Sequence, residues 1–406
     1  MHVIFVEPGF PFNQREFVRG LHAAGAKVSC IGERPVESLD DALKGWMVHY
    51  EQVRSVVHEP SLLEAVRRIQ KLGWVDRLEA TVEAHITPAA KVREVCGIPG
   101  TSVQTAFLCR DKPAMKEALR QAGVPCAAST GATSAAEVIA FVEREGFPVI
   151  IKPAAGAGAA GTFRCDTKEQ LQRAIQESQV DHGAEVAVEE FIEGHEGFYD
   201  TISVNGQVAH EFICHYYPNV LEGMRQRWIS PQIISTNRVD SPSYDEVKTL
   251  GSKVIRALGI GTSATHMEWF YGPKGLKFSE IGCRPPGVGA WDLYCAGNDL
   301  DLYEEWGHAL VAGGAKNQAS RRFSSGMIAL RPNQDGRVVG YEGVDELHAD
   351  WAEHLIDTHF PAVGSGTQPV EGGFMANAWV RMRHPDYDTL HKMLDTVGER
   401  VQMYAQ

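Results

Sequence analysis

The sequence has no excess of basic residues. Lys plus Arg total 39 against 52 for Asp plus Glu, which gives a net charge of -13 over 406 residues. A protein that binds a nucleic-acid backbone needs a broad positive surface to neutralise the phosphates, so this balance argues against a nucleic-acid partner. A local basic pocket for the phosphates of a single nucleotide remains open.

Long apolar runs and paired cysteines are also missing. No stretch approaches the roughly 20 consecutive apolar residues of a membrane span. The apolar run at residues 1–6 ends at Glu7-Pro8-Gly9 and is too short for the core of a signal peptide. The eight cysteines are scattered without a C-x-x-C pair, which argues against structural zinc and against a disulfide framework. These absences predict a cytoplasmic protein with reduced thiols and no membrane partner.

The composition is that of a chain with full hydrophobic cores, at 44% hydrophobic residues. A strand at residues 3–6, a helical repeat through 17–24 and a second apolar stretch at 27–32 give the β-α-β order of a parallel sheet. We divide the chain into an α/β domain at 1–108, a domain at 109–318 whose small lobe spans about 125–193, and an α+β unit at 319–406.

Two local predictions place later residues on defined elements. Segments 265–271 and 276–281 are predicted to form a β-hairpin around the turn Gly272-Pro273-Lys274-Gly275. The last unit is predicted to close on a helix over residues 387–404.

A glycine-rich segment follows a predicted strand that carries Lys152. Gly156, Gly158 and Gly161 spell G-x-G-x-x-G, but residues 162–165 predict a second strand where the dinucleotide fingerprint requires a helix. A glycine-rich loop between two strands can close its backbone N–H groups over phosphates, with Lys152 supplying a positive charge. A flexible surface loop with a solvated lysine is the alternative. The chain contains neither a P-loop nor an H-R-D triplet.

Acidic residues flank a strand end and a glycine turn in the segment 189–196. Such a site suits adenosine, because backbone groups and an apolar wall can hold the base while a carboxylate accepts the ribose hydroxyls. Glu196, two residues past Gly194, fits the ribose role. An acidic loop facing water is the other interpretation.

Two glutamates, Glu268 and Glu280, lie on facing strands of the predicted hairpin, each flanked by bulky or apolar residues. Both can project to one side and bridge Mg²⁺ held by nucleotide phosphates, whereas two buried carboxylates without a cation would repel each other. Arg284, followed by two prolines, can stabilise charge on a transferred phosphoryl group. A surface Glu–Arg pair is the alternative.

In order and spacing, these motifs resemble the ATP-grasp superfamily across residues 109 to about 290. The resemblance rests on Asp111-Lys112 with its capped helix, Ile151-Lys152 with the glycine-rich loop, Val188-Glu189-Glu190-Phe191-Ile192 with Gly194-x-Glu196, and Glu268 with Glu280-x-x-x-Arg284. It implies an α/β and α+β chain with the ATP-grasp fold, in which a Rossmann-like preATP-grasp N-terminal domain precedes two ATP-gripping lobes and a C-terminal α+β unit.

The resemblance also implies a role for each motif residue. Nucleotide binding falls to Lys112 and Lys152 on the phosphates, the loop glycines Gly156, Gly158 and Gly161, Glu189 and Phe191 at the adenine hinge, and Glu196 on the ribose. Glu268 and Glu280 are the implied metal ligands, and Arg284 the residue for phosphoryl transfer and acyl-phosphate stabilisation. ATP and Mg²⁺ are the implied cofactors, with Mn²⁺ as an alternative metal.

The implied activity is an ATP-dependent ligase that activates a carboxylate as an acyl phosphate and joins it to an amine such as an amino acid. Length and the extra C-terminal unit are most similar to amino-acid ligases that make dipeptides. The partners are then small-molecule carboxylates and amines, and a homodimer is compatible with the sequence. Arg225, Arg227 and His266 are candidates for substrate contact, with solvated side chains as the alternative. Cys283 is a further candidate, with a buried structural thiol as its alternative.

One position departs from the family pattern. Members of the superfamily commonly carry Asn two residues beyond the second metal glutamate, and this chain has Gly282 there. The departure leaves the number of metal ions open and motivates a second hypothesis, an ATP-binding regulatory protein without turnover. A third hypothesis, an NAD-dependent oxidoreductase, rests on the three loop glycines alone.

Overall fold

The computed structural model describes residues 1–154 and 161–406, apart from the side chain of Glu371. Its strands form sheets of four, eight, two and four strands. No described helix combines the length and the apolar sequence that crossing a membrane requires. Gly156 and Gly158 lie outside the described residues.

The first sheet is parallel, with strand order β3-β2-β1-β4. In chain order, its strands and their helices are β1 (His2–Val6), α1 (Gln14–Ala23), β2 (Lys27–Gly32), α2 (Asp41–Trp46), β3 (His49–Gln52), α3 (Glu59–Gln70), β4 (Arg77–Glu79), α4 (Glu83–Cys96) and α5 (Val103–Leu108). Val3 and Phe5 pack in one hydrophobic cluster with α1, and Ile4 and Val6 in another with α3. Helices therefore cover both faces, as the continuous apolar run of β1 predicts.

The second sheet is antiparallel, with strand order β5-β8-β6-β7. Its elements are α6 (Lys112–Gln121), β5 (Ser129–Ala132), α7 (Ala135–Glu145), β6 (Val149–Pro153), β7 (Phe163–Cys165), α8 (Lys168–Glu177) and β8 (Val186–Glu190). The cap predicted for α6 is confirmed, since Ala114 N–H donates to Asp111 Oδ1 at 2.9 Å. A strand, β7, follows the glycine-rich segment, so the context of a dinucleotide fingerprint is absent.

The largest sheet is antiparallel, with strand order β13-β12-β9-β10-β11-β14-β17-β16. The remaining elements are β9 (His195–Val204), β10 (Gln207–Tyr217), α9 (Val220–Gly223), β11 (Gln232–Ser235), α10 (Asp245–Ala257), β12 (Ser263–Gly272), β13 (Gly275–Gly282), α11 (Ala290–Asn298), α12 (Leu302–Ala312), β14 (Ser324–Leu330), β15 (Val338–Glu342), α13 (Val344–Trp351), β16 (Leu355–His359), β17 (Ala378–His384), α14 (Tyr387–Arg400) and β18 (Gln402–Ala405). Strands β14, β16 and β17 extend the sheet that begins with β9. The domain limits at residues 108 and 318 stay predictions.

The helix predicted over residues 387–404 is wrong at its end. Helix α14 stops at Arg400, and the chain continues as β18, which pairs with β15. The reason is a change of period, because Val401, Met403 and Ala405 are buried while the residues between them are exposed. Alternation of this kind favours a strand.

Helices α1 and α12 approach so closely that glycine is required at the contact. A Cβ added to Gly20 would lie 2.1 Å from Tyr303 O, and one added to Gly307 would lie 2.4 Å from Gly20 O. These distances leave no room for a side chain between the two backbones. The contact joins a helix of the first sheet to a helix beside the largest sheet.

Replacing Gly307 by alanine is expected to lower the free energy of unfolding by about 2 kcal/mol, because the added methyl group overpacks this contact. Urea unfolding followed by circular dichroism measures the effect. Gly45→Ala is the control, since a Cβ at Gly45 in α2 meets nothing within 4 Å. Equal stability of the two variants would contradict the close approach.

Candidate functional site

A cavity of about 450 Å³ lies between the second sheet and the largest sheet. Seven of the residues predicted for nucleotide or metal binding line it: Lys112, Lys152, Glu189, Phe191, Glu196, Glu268 and Glu280. Gly161 has a φ of +69°, a left-handed backbone that favours glycine, and lies beside Pro153 rather than among the lining residues. The cavity thus joins motifs that are far apart in the chain.

Charged side chains of alternating sign contact one another at this cavity, and all of them except Lys116 line it. Lys116 Nζ lies 2.7 Å from Glu189 Oε1, and Lys152 Nζ lies 3.0 Å from Glu189 Oε2. Glu280 Oε2 lies 3.8 Å from Lys152 Nζ and 3.4 Å from Lys112 Nζ. The two carboxylates therefore hold three lysines at one place.

Helix α6 supplies two of these lysines. Lys112 and Lys116 are four residues apart, so both side chains project from the same face of the helix. The sequence analysis identified Lys112 and missed Lys116, although the spacing to Lys112 was the available signal. Lys116 is only 1% exposed, and its charge is matched by Glu189.

Opposite charges outweigh burial for Glu189, Lys152 and Glu280. Burial raises the pKa of Glu189, but Lys116 and Lys152 hold it at about 2. Burial lowers the pKa of Lys152, yet Glu189 and Glu280 keep it above its ordinary value. For Glu280, the charges of Lys152 and Lys112 likewise overcome burial and lower the pKa. For Lys116 burial prevails and lowers the pKa, although the charge of Glu189 opposes this shift.

The hairpin predicted from the sequence is confirmed and brings its two glutamates together. Strands β12 and β13 pair in a register that sets Glu268 directly opposite Glu280, with a bulge immediately after Glu268. Cross-strand partners point to the same face of a sheet. The two carboxylates therefore face the same cavity, as the sequence predicted.

Glu196 is held by a loop that the sequence analysis did not identify. Val220 N–H donates to Glu196 Oε2 at 2.7 Å, and Glu196 N–H donates to Asn219 Oδ1 at 3.0 Å. Burial, and next the charge of Glu268, raise the pKa of Glu196 to about 8. No local pattern marks Asn219, because its role depends on a contact with β9, which is distant along the chain.

Part of the cavity lining is apolar. Phe191 lies there with Ile150, Ile192 and Phe270, all of which line the cavity. The guanidinium carbon of Arg164 lies 4.2 Å from the centroid of the Phe191 ring. This stacked pair closes an apolar surface of the kind that holds a planar base.

Arg284 lies outside this cavity, in a small polar cavity beside it that shares Lys112 and Glu280. Its Nε donates to Glu83 Oε2 at 2.7 Å, and its Nη1 donates to Pro285 O at 2.9 Å. Glu83, at the start of α4, was also missed by sequence reasoning.

The three candidates for substrate contact are separated by the structure. Arg225 lines the large cavity and donates to Thr162 O, and His266 lines the small one. His266 Nδ1 lies 2.7 Å from Asp200 Oδ1; although burial opposes it, this carboxylate raises the pKa of His266 to about 9. Arg227 lies in neither lining and pairs with Asp335 at 2.7 Å.

The remaining candidate, Cys283, is 5% exposed and packs in a hydrophobic cluster with Cys109. This placement matches the structural alternative that the sequence left open for Cys283, because a free cysteine in a core packs as a small hydrophobic side chain.

The connection between β8 and β9 lies against the turn of the hairpin. A Cβ on Gly194 would lie 2.5 Å from Tyr271 O, and one on Gly272 would lie 2.0 Å from Glu193 O. Both glycines are therefore needed for the two backbones to touch. Farther along the hairpin, Phe278 N–H donates to Pro125 O at 2.8 Å.

Residues 111–282 match a family model described as the carbamoyl-phosphate synthase L chain, ATP binding domain. The whole structure resembles that of an L-amino acid ligase from Bacillus licheniformis, with a TM-score of 0.79 at 16% identity over 100% of this chain and 98% of that chain. The chain has the ATP-grasp fold. The fold that the sequence motifs predicted is thus confirmed.

A second protein is similar to this chain in sequence, and a third is similar in structure. The L-arginine-specific L-amino acid ligase of Bacillus subtilis is 30% identical over 266 residues, which cover 64% of this chain and 63% of that protein. This chain therefore spans less than two thirds of that relative. The biotin carboxylase domain of the 2-oxoglutarate carboxylase from Hydrogenobacter thermophilus, in complex with MgADP, ADP and bicarbonate, has a TM-score of 0.65 at 17% identity, over 99% of this chain and 91% of that chain.

Proposed function

We propose that this chain is an ATP-dependent ligase that activates a carboxylate as an acyl phosphate and joins it to an amine, releasing ADP and phosphate. The observation that carries the proposal is the meeting of Lys152, Glu268 and Glu280 at one cavity. A triphosphate needs cations and metal-binding carboxylates at the same place, and the cavity supplies both. Homology to an L-amino acid ligase supports amino acids as the first substrates to test.

We propose one orientation for the nucleotide in this cavity. Its base would lie against the apolar side chains beside Phe191, its ribose at Glu196, and its phosphates at Lys112 and Lys152. Because Glu196 accepts a hydrogen bond from Val220 on one oxygen, its other oxygen is available for a ribose hydroxyl. This placement follows the roles that the sequence motifs imply for residues lining the cavity.

Glu268 and Glu280 fit Mg²⁺, which is usually held by one or two carboxylates together with phosphate oxygens and water. Within the described ranges, no group of three or more His, Cys, Asp or Glu side chains is arranged to hold a metal. Mg²⁺, when bound, supplies neutralisation of the phosphate charge. Mn²⁺ stays in the proposal as the alternative ion.

The reaction then has two displacements. A carboxylate oxygen of the first substrate attacks the γ-phosphorus and ADP leaves. The amine of the second substrate attacks the acyl carbon and phosphate leaves. The protein contributes mainly position and charge, because Lys112, Lys152 and Arg284 neutralise the oxygens that gain negative charge. A cytoplasmic location and a homodimer remain predictions.

A panel of carboxylate and amine pairs, led by L-amino acids, tests the proposal by formation of ADP. With an active pair, ¹⁸O placed in the substrate carboxylate is expected to appear in the released phosphate, because one carboxylate oxygen leaves with the γ-phosphoryl group. ADP formation without transfer of ¹⁸O would exclude an acyl phosphate.

An ATP-binding protein without turnover is the second candidate. Gly282 occupies the position at which members of the superfamily commonly carry Asn. Tight binding of ATP with no ADP formation across the panel would favour it over the ligase. The large cavity serves both candidates, so nucleotide binding alone does not separate them.

Replacing Glu196 by alanine is expected to weaken ATP binding about tenfold, because a hydrogen bond to a ribose hydroxyl is lost. Isothermal titration with ATP and with 2′-deoxy-ATP measures the effect. The wild-type protein should prefer ATP, and the variant should lose much of that preference. An unchanged preference would remove Glu196 from the ribose site.

A further inference from the structure

Glu83 bridges two arginines beside the metal-binding hairpin. Its Oε2 accepts a hydrogen bond from Arg284 Nε at 2.7 Å, and its Oε1 lies 3.2 Å from Arg110 Nη1. The side chains of Glu83 and Arg284 are only 22% and 18% exposed. Glu83 begins α4, so a carboxylate from the first part of the chain contacts a residue 201 positions later.

This contact limits the orientations that Arg284 can adopt. Glu83 takes the N–H of Nε, and the carbonyl of Pro285 takes one N–H of Nη1. No described residue accepts a hydrogen bond from Nη2, which leaves that end of the planar guanidinium for another partner. An arginine side chain has several rotatable bonds, and two fixed hydrogen bonds remove most of that freedom.

The ion pair also lies directly against the strand that carries Glu280. A Cβ added at Gly282 would lie 3.4 Å from Arg284 Cγ and 3.5 Å from Glu83 Oε2. A larger side chain at position 282 would therefore compete with the pair for space. Glycine at this position lets the pair sit beside β13, two residues from Glu280.

We propose that Glu83 is a positioning residue, which holds the guanidinium of Arg284 in the orientation needed for phosphoryl and acyl transfer. The inference rests on the proposed function, because it assumes that Arg284 acts on the reacting groups. Glu83 itself does not line the large cavity. Its loss is therefore expected to slow turnover and to leave ATP binding intact.

Replacing Glu83 by glutamine is expected to lower kcat roughly 10- to 100-fold, because small misplacement of a catalytic group has effects of this size. The dissociation constant of ATP is expected to stay within about twofold, because the nucleotide cavity is separate. Glu83→Asp, which keeps the charge, should recover part of the lost kcat. A glutamine variant with wild-type kcat would overturn the proposal.

A double-mutant cycle with Arg284→Met separates positioning from a direct role. If Glu83 acts through Arg284, then Glu83→Gln should cause no further loss of kcat in the Arg284→Met background. An undiminished loss in that background would overturn the proposal. Glu59→Gln is the matched control, since Glu59 forms an exposed ion pair with Lys91 in the same part of the chain.

The cycle is run on a substrate pair that the wild-type protein converts to product. Absence of ADP formation by the wild-type protein with every pair would reject the ligase proposal itself. Failure of the positioning role shows instead as an active wild-type protein whose kcat does not respond to Glu83. Thermal unfolding of each variant identifies any loss caused by misfolding, and Glu83→Asp then supplies the kinetic comparison.

Discussion

Replacing Glu280 by glutamine is expected to reduce ADP formation about a thousandfold, because the residue is the proposed metal ligand and also the partner of two lysines. Its Oε2 lies within 3.8 Å of both Lys152 Nζ and Lys112 Nζ. A neutral amide there would remove the proposed ligand of Mg²⁺ and would change the charge beside Lys112 and Lys152. Initial rates of ADP release over a range of Mg²⁺ concentrations measure the loss.

Glu193→Gln is the matched control for this experiment. Glu193 is an exposed carboxylate in the connection between β8 and β9, and it does not line the cavity. Its replacement is expected to leave the rate of ADP release unchanged. If Glu280→Gln retained the wild-type rate at low Mg²⁺, the assignment of the metal site would be wrong.

Replacing Lys116 by methionine is expected to lower the free energy of unfolding by about 3 kcal/mol, because it removes one partner of a buried ion pair. Lys116 is 1% exposed and lies 2.7 Å from Glu189. The carboxylate would keep its contact with Lys152 at 3.0 Å. Urea unfolding at pH 7 measures the loss.

The stability difference between Lys116→Met and the wild-type protein is expected to depend on pH in one direction. In the folded wild-type protein Lys116 and Lys152 outweigh burial and hold the pKa of Glu189 at about 2, below its ordinary value of 4.5. The stability from its ionised form is therefore present above pH 4.5 and is lost as the pH falls toward 2. The difference between Lys116→Met and the wild-type protein should shrink over that interval.

The control for Lys116 is Lys168→Met, at the exposed start of α8 in the same part of the fold. Surface replacements of this kind usually change stability by no more than about 0.5 kcal/mol. A difference between the two variants that stayed constant from pH 7 to pH 3 would contradict the pairing of Lys116 with Glu189.

Features that depend on neighbouring residues could be predicted from the sequence. The cap at Asp111 and the hairpin that pairs Glu268 with Glu280 follow from local spacing, and both are present. The end of α14 was missed because the helical pattern changes to alternation only at Val401. Helical and strand periods are hard to tell apart over so few residues.

Contacts between distant segments could not be predicted in the same way. The pairs Lys116–Glu189 and Glu83–Arg284 each join side chains on separate elements of the fold, and no spacing along the chain relates their members. The close approach of α1 and α12 is of the same kind. Tertiary packing decides such contacts, and it depends on every element between the two partners.

The contact between Gly194 and Gly272 restrains the second sheet relative to the largest sheet. Because Gly194 and Gly272 allow no gap between the two backbones, this point cannot slide without breaking close contact. The contact therefore fixes the position of the hairpin tip relative to the connection between β8 and β9. The contact thereby helps to keep Lys152 within 3.8 Å of Glu280 at the cavity.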